Sequence, residues 1–173
     1  TQTVMNLKIK YRESFRPFAP SVLEERTADY FELDDESPYM LLVAPVKPEQ
    51  RIEQTDVDSL RGIDKPKSIR STIPAVTHVD YSARVQTVDP VRHGRYYRLL
   101  KRFEHLTGSP VVINTSFNVR GEPVVMSSEH AYRCFLATNM DVLVIEDFVL
   151  LKSEQPHARP PDIDNYLSSF QLD

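Results

Sequence analysis

A dense group of hydrogen-bond donors follows a short apolar run in the segment SPVVINTSFNVRGEPVV, residues 109–125. The apolar run 110–113 is short and β-branched, which is typical of a buried strand. Amide, hydroxyl and guanidinium groups come directly after it, at Asn114, Thr115, Ser116, Asn118 and Arg120. Because ligands of open α/β sheets bind just outside the carboxyl ends of strands, this pattern predicts a binding site. A polar turn that closes a hairpin is the alternative interpretation.

A second set of cations lies near the start of the chain. The alternation in residues 4–10, VMNLKIK, predicts a strand, on which Lys8, Lys10 and Arg12 would share one face. The prolines of FRPFAP, which contains Arg16, then impose an extended and rigid path. A solvated basic strand edge is the alternative interpretation of these residues.

A third polar group precedes and enters the predicted strand 83–88. Arg84 and Gln86 would share one face of this strand, and a half-buried guanidinium requires an anion. His78 is interpreted as structural rather than catalytic. A hydrolase triad of Ser116, His78 and Asp80 is not favoured, because no GxSxG motif surrounds Ser116.

Composition restricts the classes of function. The 173 residues suit one domain, and a net charge of -4 argues against a dedicated nucleic-acid binder. The single cysteine, Cys134, cannot form an internal disulfide and lies in a helical apolar stretch, so we expect a core residue and a cytoplasmic protein. No apolar run approaches the ~20 residues of a membrane span. A chain that begins at Thr1 suggests a domain excised from a longer protein.

The predicted elements alternate between helices and strands, which indicates an α/β fold with a mixed sheet. A capping box at 21–24 predicts a helix to about Tyr30, and residues 39–46 predict a strand. The region 49–70 lacks apolar periodicity and predicts a long connection of the kind that often forms a lid. The remaining predictions are a helix over 94–106 with its apolar face at Tyr96, Leu99, Leu100, Phe103 and Leu106, a helix from Ser127 or Ser128 to Leu136, two paired strands in 141–152, and a tail with a short helix at 166–170.

None of the four glycines lies in a GxxxxGK or GxGxxG pattern. If the chain binds a nucleotide, side-chain cations and hydroxyls must therefore hold its phosphates. Such a set of donors suits phosphoryl or nucleotidyl transfer, in which catalysis is mostly positioning and charge neutralisation.

Four ordered blocks resemble the C-terminal domain of the O-carbamoyltransferases of nodulation-factor and antibiotic biosynthesis. They are KYRESFRPFAPSVLEE, SPYMLLVAPVKPE, PAVTHVDYSARVQTV and TGSPVVINTSFNVRGEPVV, and the resemblance covers about residues 8–152. It implies a YrdC-like domain at 1–152, with a twisted mixed β-sheet and flanking helices around a basic cavity, followed by a surface-draped tail at 153–173. The K-x-R and S-x-N pairs of that fold correspond to Lys10–Arg12 and Ser116–Asn118.

The resemblance also implies an activity and roles for residues. Domains of this kind form carbamoyl adenylate from carbamoyl phosphate and ATP, with Mg²⁺ accompanying the nucleotide. A separate N-terminal domain of the actin-like fold, which carries iron, then transfers the carbamoyl group to a sugar hydroxyl. Lys10 and Arg12 would bind the phosphates, Arg84 and Arg120 would stabilise the developing anion with Lys10, and Ser116, Asn118, Thr115 and Asn114 would orient the adenylate.

An RNA- or polyanion-binding module of the same fold, or a module that mainly docks the other domain, is the alternative function. The net charge and the lack of aromatic residues among the cations argue against nucleic acid. Arg16, Lys47 and His78 lie near the blocks without a motif position. An exposed apolar patch is expected where the other domain would sit.

Overall fold

The computed structural model of the chain describes residues 1–52, 68–155 and 163–170. The described chain forms two compact units. The first, called the sheet unit, comprises Phe15–Thr115 with Gln2, and the second, called the hairpin unit, comprises Thr3–Ser14 and Ser116–Asp173 with Thr1. The predicted connection 49–70 lies mostly outside the described residues.

The sheet unit contains a four-stranded mixed sheet in the order β2–β3–β1–β4. Its strands are β1 (Ala19–Leu23), β2 (Leu42–Pro45), β3 (Ser82–Val88) and β4 (Val111–Asn114). Strands β1 and β3 are parallel, and the pairs β1–β4 and β2–β3 are antiparallel. The sequence prediction of an α/β fold with a mixed sheet is confirmed.

Strand β1 corrects the prediction of a helix at residues 21–30. All five residues of β1 are buried, and Ser21 donates a hydrogen bond to the Gln86 side chain (2.6 Å) instead of capping a helix. A β-strand buried on both faces satisfies its backbone on two neighbours, which outweighs a local capping signal. Only the short helical segments Glu24–Arg26 and α2 (Thr27–Tyr30) follow it.

Helix α3 (Pro90–Thr107) packs on the sheet and is kinked at Gly94, whose φ of 24° and ψ of -88° are not helical, so the predicted helix over 94–106 corresponds to its second segment. Asp89 caps its first turn, and Gly108 ends it at a φ of 77°, as its position in the sequence predicts. The predicted apolar face is confirmed only at Tyr96 and Leu100, which belong to a core cluster with Leu23 and Val88. Leu100 is 1% exposed, whereas Leu99 and Leu106 are 61% and 65% exposed, so an apolar stripe of α3 faces solvent.

Helix α1 (Gln2–Met5), which belongs to the hairpin unit from Thr3 onward, continues into one wide π-type helical turn, Asn6–Lys10. The predicted strand at 4–10 is therefore wrong. Tyr11 ends this turn in the left-handed conformation, and the amide of Arg12 donates to the carbonyl of Asn6 (2.9 Å). A few alternating residues carry too weak a signal to form a strand without a partner.

The remainder of the hairpin unit comprises α4 (Ser128–Ala137), the antiparallel pair β5 (Val142–Ile145) and β6 (Phe148–Leu151), and α5 (Ile163–Ser168). Ser127 caps α4, which confirms the predicted helix start. The Lys152 ammonium donates to the carbonyls of Phe135, Leu136 and Thr138 at the end of α4. Within the described ranges, no helix has the length and apolar character to cross a membrane.

Candidate functional site

The S-x-N segment is organised around Lys10. The Lys10 ammonium donates to the backbone carbonyl of Ser116 (2.8 Å) and to the backbone carbonyl (2.6 Å) and side-chain oxygen (2.7 Å) of Asn118. The Ser116 hydroxyl donates to the same side-chain oxygen of Asn118 (2.7 Å). Lys10 is only 4% exposed, whereas Ser116 is exposed. The buried cation therefore fixes the loop, and the Ser116 hydroxyl lies at the surface.

A tight turn follows, from Val119 to Glu122. The Glu122 amide donates to the Val119 carbonyl (3.2 Å), and Gly121 adopts a φ of 80°, which favours glycine. The Glu122 carboxylate accepts from the Val119 amide (2.8 Å), and the Asn118 side-chain amide donates to the Glu122 carbonyl (2.7 Å). Arg120 is exposed at the tip of this turn, and its amide donates to the Lys10 carbonyl (3.2 Å).

Arg12 lies close to Lys10 in sequence but contacts the N-terminal turn. Its Nε donates to the side-chain oxygen of Asn6 (2.7 Å), and Asn6 is fully buried. The Asn6 side-chain amide donates in turn to the Ser14 carbonyl (3.2 Å). Arg12 thus braces the segment that positions Lys10, and its predicted binding of phosphate stays a prediction.

A basic groove of about 310 Å³ lies in the sheet unit. It is lined by Arg16, Pro17, Phe18, Ala19, Val43, His78 and Arg84. The Arg84 guanidinium is exposed and forms no ion pair with the residues that the structure describes. Two guanidiniums and an imidazole beside an apolar wall suit an anion attached to a small organic group.

His78 is held by its own turn. Its Nδ1 lies 3.0 Å from the Ser82 hydroxyl, which donates to Asp80 (2.7 Å). Hydrogen bonds from the Ser82 side chain and amide lower the pKa of Asp80. This arrangement fixes the rim of the groove.

Asn114 belongs to a polar network inside the sheet. Its amide donates to the Ser21 hydroxyl (3.0 Å) and to the Gln86 side-chain oxygen (2.6 Å), which also accepts from Ser21. The network joins β1, β3 and β4, the last of which leads to Thr115. Asn114 therefore positions the end of β4, and its contact with an adenylate stays a prediction.

The predicted site residues fall into two groups. Those in the hairpin unit are Lys10, Arg12, Ser116, Asn118 and Arg120, and those in the sheet unit are Arg84, Asn114 and Thr115. The structure adds Arg16 and His78 to Arg84 at the groove. Sequence reasoning missed the role of Glu122, although its place beside the φ-permissive Gly121 indicated a turn that something must hold.

The sequence also contained no indication that Arg70 is a buried arginine. It is 3% exposed, and its Nη1 donates to the Ser68 carbonyl (3.3 Å). Its Nε and Nη2 have no acceptor among the described protein atoms. Burial lowers its pKa. In the described part of the chain, no group of three or more His, Cys, Asp and Glu side chains could hold a metal ion.

Comparison with known families places these clusters in context. The model of the carbamoyltransferase C-terminus family matches residues 1–152. The chain belongs to this family. The predicted family is confirmed, and its relatives include the nodulation protein NolNO of Sinorhizobium fredii, 39% identical over 151 residues, and the nodulation protein NolO of Bradyrhizobium diazoefficiens, 36% identical over 151 residues.

The chain spans only part of the length of these family members. Each nodulation protein matches 86% of the chain, which covers 19% of NolNO and 24% of NolO. An uncharacterized protein of Synechocystis, sll1178, is 59% identical over 173 residues, 99% of this chain and 28% of its own length.

Proposed function

We propose that this chain is the substrate-activating part of a carbamoyltransferase. It binds carbamoyl phosphate and ATP and forms carbamoyl adenylate, releasing phosphate and pyrophosphate. The acceptor, a sugar hydroxyl, reacts at another domain of the full polypeptide. The observation that carries the proposal is the basic groove, in a chain of the carbamoyltransferase C-terminus family, at which Arg84 presents an exposed guanidinium.

Charge supports an anionic substrate in the groove. Arg16 and Arg84 line it with His78, whereas Phe18 and Val43 supply apolar surface. Guanidinium forks bind phosphate and carboxylate oxygens in a bidentate manner, which orients the ligand as well as attracting it. The small, planar carbamoyl group would lie against the apolar wall.

The Ser116–Asn118 loop of the hairpin unit presents its own donors. Lys10 holds the loop oxygens, so the exposed Ser116 hydroxyl and the Arg120 guanidinium are presented at the surface. We propose that these two groups contact the nucleotide phosphates. Direct phosphate binding by Lys10 would require its ammonium to exchange at least one of these three protein oxygens.

The atom balance defines the chemistry that the residues must assist. Water displaces phosphate from carbamoyl phosphate and leaves carbamate. A carbamate oxygen then attacks the α-phosphorus of ATP, and pyrophosphate leaves with the bridging oxygen. Negative charge builds on the α-phosphate oxygens, which arginine side chains would stabilise. Mg²⁺ would enter bound to ATP, since the donors here are cations, hydroxyls and amides rather than carboxylates.

The direct test is exchange of labelled pyrophosphate into ATP by the purified chain, with and without carbamoyl phosphate. We expect exchange that requires carbamoyl phosphate and falls at least a hundredfold in Arg84→Gln. Arg98→Gln is the matched control, because Arg98 is an exposed arginine of α3 in the same unit but outside the groove. The control should retain full exchange.

Calorimetric titration of ATP and carbamoyl phosphate separates the steps. Binding without exchange would retain the substrates and refute adenylate formation by this chain alone. Absence of both binding and exchange would refute the proposal. Saturable binding of RNA that Arg84→Gln weakens as strongly as it was expected to weaken exchange would favour the polyanion-binding alternative.

A further inference from the structure

The C-terminal helix α5 contacts the turn that follows the Ser116–Asn118 loop. The Tyr166 hydroxyl donates a hydrogen bond to Oε1 of Glu122. Tyr166 and Phe170 form an edge-to-face ring pair with centroids 5.1 Å apart. Both rings line a cleft of about 190 Å³ with Glu122, Val125, His130 and other residues of the hairpin unit. The helix thus rests on this turn through one polar and several apolar contacts.

Glu122 transmits this contact to the loop. Its Oε2 accepts from the Val119 amide (2.8 Å), while its Oε1 accepts from Tyr166. A carboxylate held at both oxygens is restricted to one rotamer. Its backbone carbonyl also accepts from Asn118 (2.7 Å), and Asn118 is in turn bonded to Lys10 and Ser116. A continuous series of hydrogen bonds therefore joins Tyr166 to the Ser116 hydroxyl.

The surroundings favour a permanent bond between Tyr166 and Glu122. Burial, followed by the hydrogen bond with Glu122, raises the pKa of Tyr166, so the phenol stays protonated and remains a donor. Cys134, which is fully buried, also interacts with both side chains. A part-buried hydrogen bond between a phenol and a carboxylate is charge-assisted and therefore stronger than a neutral one.

Helix α5 lies outside the part of the chain that the family model matches. That match ends at residue 152, whereas α5 spans Ile163–Ser168. The Synechocystis relative matches 99% of the chain, while the nodulation proteins match 86%. The contact with Glu122 is thus made by a helix that lies beyond the residues matched by the family model.

We propose that Tyr166 is a positioning residue, and that α5 is a strap that holds Glu122 and sets the conformation of the Ser116–Glu122 loop for its anionic substrates. The effect on substrates rests on the proposed function. When α5 is docked, the loop presents the Ser116 hydroxyl and Arg120 in one arrangement. When the bond is lost, the carboxylate rotates, the Val119 amide loses its acceptor, and the loop samples several arrangements.

Hydrogen–deuterium exchange of the chain without substrates tests the strap. Tyr166→Phe removes one oxygen and keeps the ring, and we expect exchange in peptides covering 116–126 to become about tenfold faster, the effect of losing one hydrogen bond. Tyr132→Phe is the matched control, since the Tyr132 hydroxyl of the same unit donates to Gln155 (3.0 Å) rather than to the turn. Unchanged exchange in Tyr166→Phe would overturn the strap.

A double-mutant cycle separates positioning from general packing. Glu122→Ala removes the acceptor, so Tyr166→Phe should have no further effect on loop exchange in that background. Fully additive effects would show that the Tyr166 hydroxyl acts through a group other than Glu122 and would overturn the proposal.

Kinetics supply the functional readout. In the pyrophosphate assay, Tyr166→Phe should raise KM for ATP about fivefold with kcat within twofold of the wild-type value. Faster loop exchange with an unchanged KM would refute the positioning role. If the wild-type chain shows no pyrophosphate exchange, the proposed function fails, and the deuterium result alone then decides whether α5 sets the loop conformation.

Discussion

Replacing Lys10 by methionine tests whether the Ser116–Asn118 loop is built on a buried cation. Methionine has nearly the same length and no donors, so the Ser116 and Asn118 carbonyls lose their bonds to the ammonium. The Asn118 side-chain oxygen keeps the hydroxyl of Ser116. Of the three bonds lost, the two that leave a carbonyl without its donor, at roughly 1.5–3 kcal/mol each, give about 3–6 kcal/mol, from which the desolvation cost of the buried ammonium must be subtracted. We expect a net loss of about 3 kcal/mol.

Urea denaturation measures this loss. The chain has 8 Tyr and no Trp, so far-ultraviolet circular dichroism is the appropriate signal. Lys8→Met is the matched control, because Lys8 is an exposed lysine of the same helical turn, and its free energy of unfolding should change by less than about 0.5 kcal/mol.

Equal stability of the two variants would refute the reasoning. It would mean that the ammonium of Lys10 does not hold the loop in solution and is available to a ligand. The pyrophosphate assay would then assign it. A stable Lys10→Met variant with abolished exchange would support direct phosphate binding, as the family resemblance implies.

Two other buried side chains give further predictions. Burial raises the pKa of Cys134 to about 12, so iodoacetamide should not modify it at pH 8 without urea and should modify it fully in urea, as mass spectrometry would show. The pKa of Cys134 in the folded protein lies above the unfolded value of about 8.5. Its contribution to the free energy of unfolding is therefore complete below about pH 8.5 and is lost as the pH rises toward 12. Rapid labelling of the native protein by iodoacetamide would contradict the burial of Cys134. Arg70→Met should leave the free energy of unfolding unchanged or raise it by about 1–3 kcal/mol, because Nε and Nη2 lack acceptors among the described atoms. A loss above about 1 kcal/mol in urea denaturation would instead mean that the guanidinium has an anionic partner in solution.

Elements with strong local patterns were predictable from the sequence. Three local patterns each specify their element through neighbouring residues: the β-branched run at 111–113, the serine before α4, and the two apolar runs of β5 and β6. Residues 4–10 and 19–23 were not predictable in this way. Ser21 precedes Glu24 at capping-box spacing, yet its parallel pairing with Gln86 of β3 decides its conformation. The two residues are 65 positions apart, so the sequence around Ser21 contains no signal of this pairing.

In the candidate site too, the residue types were predictable from the sequence, whereas their distant contacts were not. Lys10, Ser116 and Asn118 were selected by residue type and by family motif, but local sequence could not indicate that the cation bonds to the loop itself. Arg84 was recognised as a guanidinium on a strand, and only the fold adds Arg16 to the same groove. Tyr166 carried no signal, because its partner Glu122 lies 44 residues away.

The discontinuity of the hairpin unit has a consequence for the order of events during synthesis. Residues 15–115 of the sheet unit are continuous in sequence, so their strands can pair as soon as β4 leaves the ribosome. The helical turn that bears Lys10 precedes the sheet unit in the chain, but its partners Ser116 and Asn118 come 106 and 108 residues after Lys10. Such long-range closures are slow to form. We therefore expect the lysine of the N-terminal turn to stay hydrated until residues 116–118 have been synthesised, and the Ser116–Asn118 loop to form after the sheet unit.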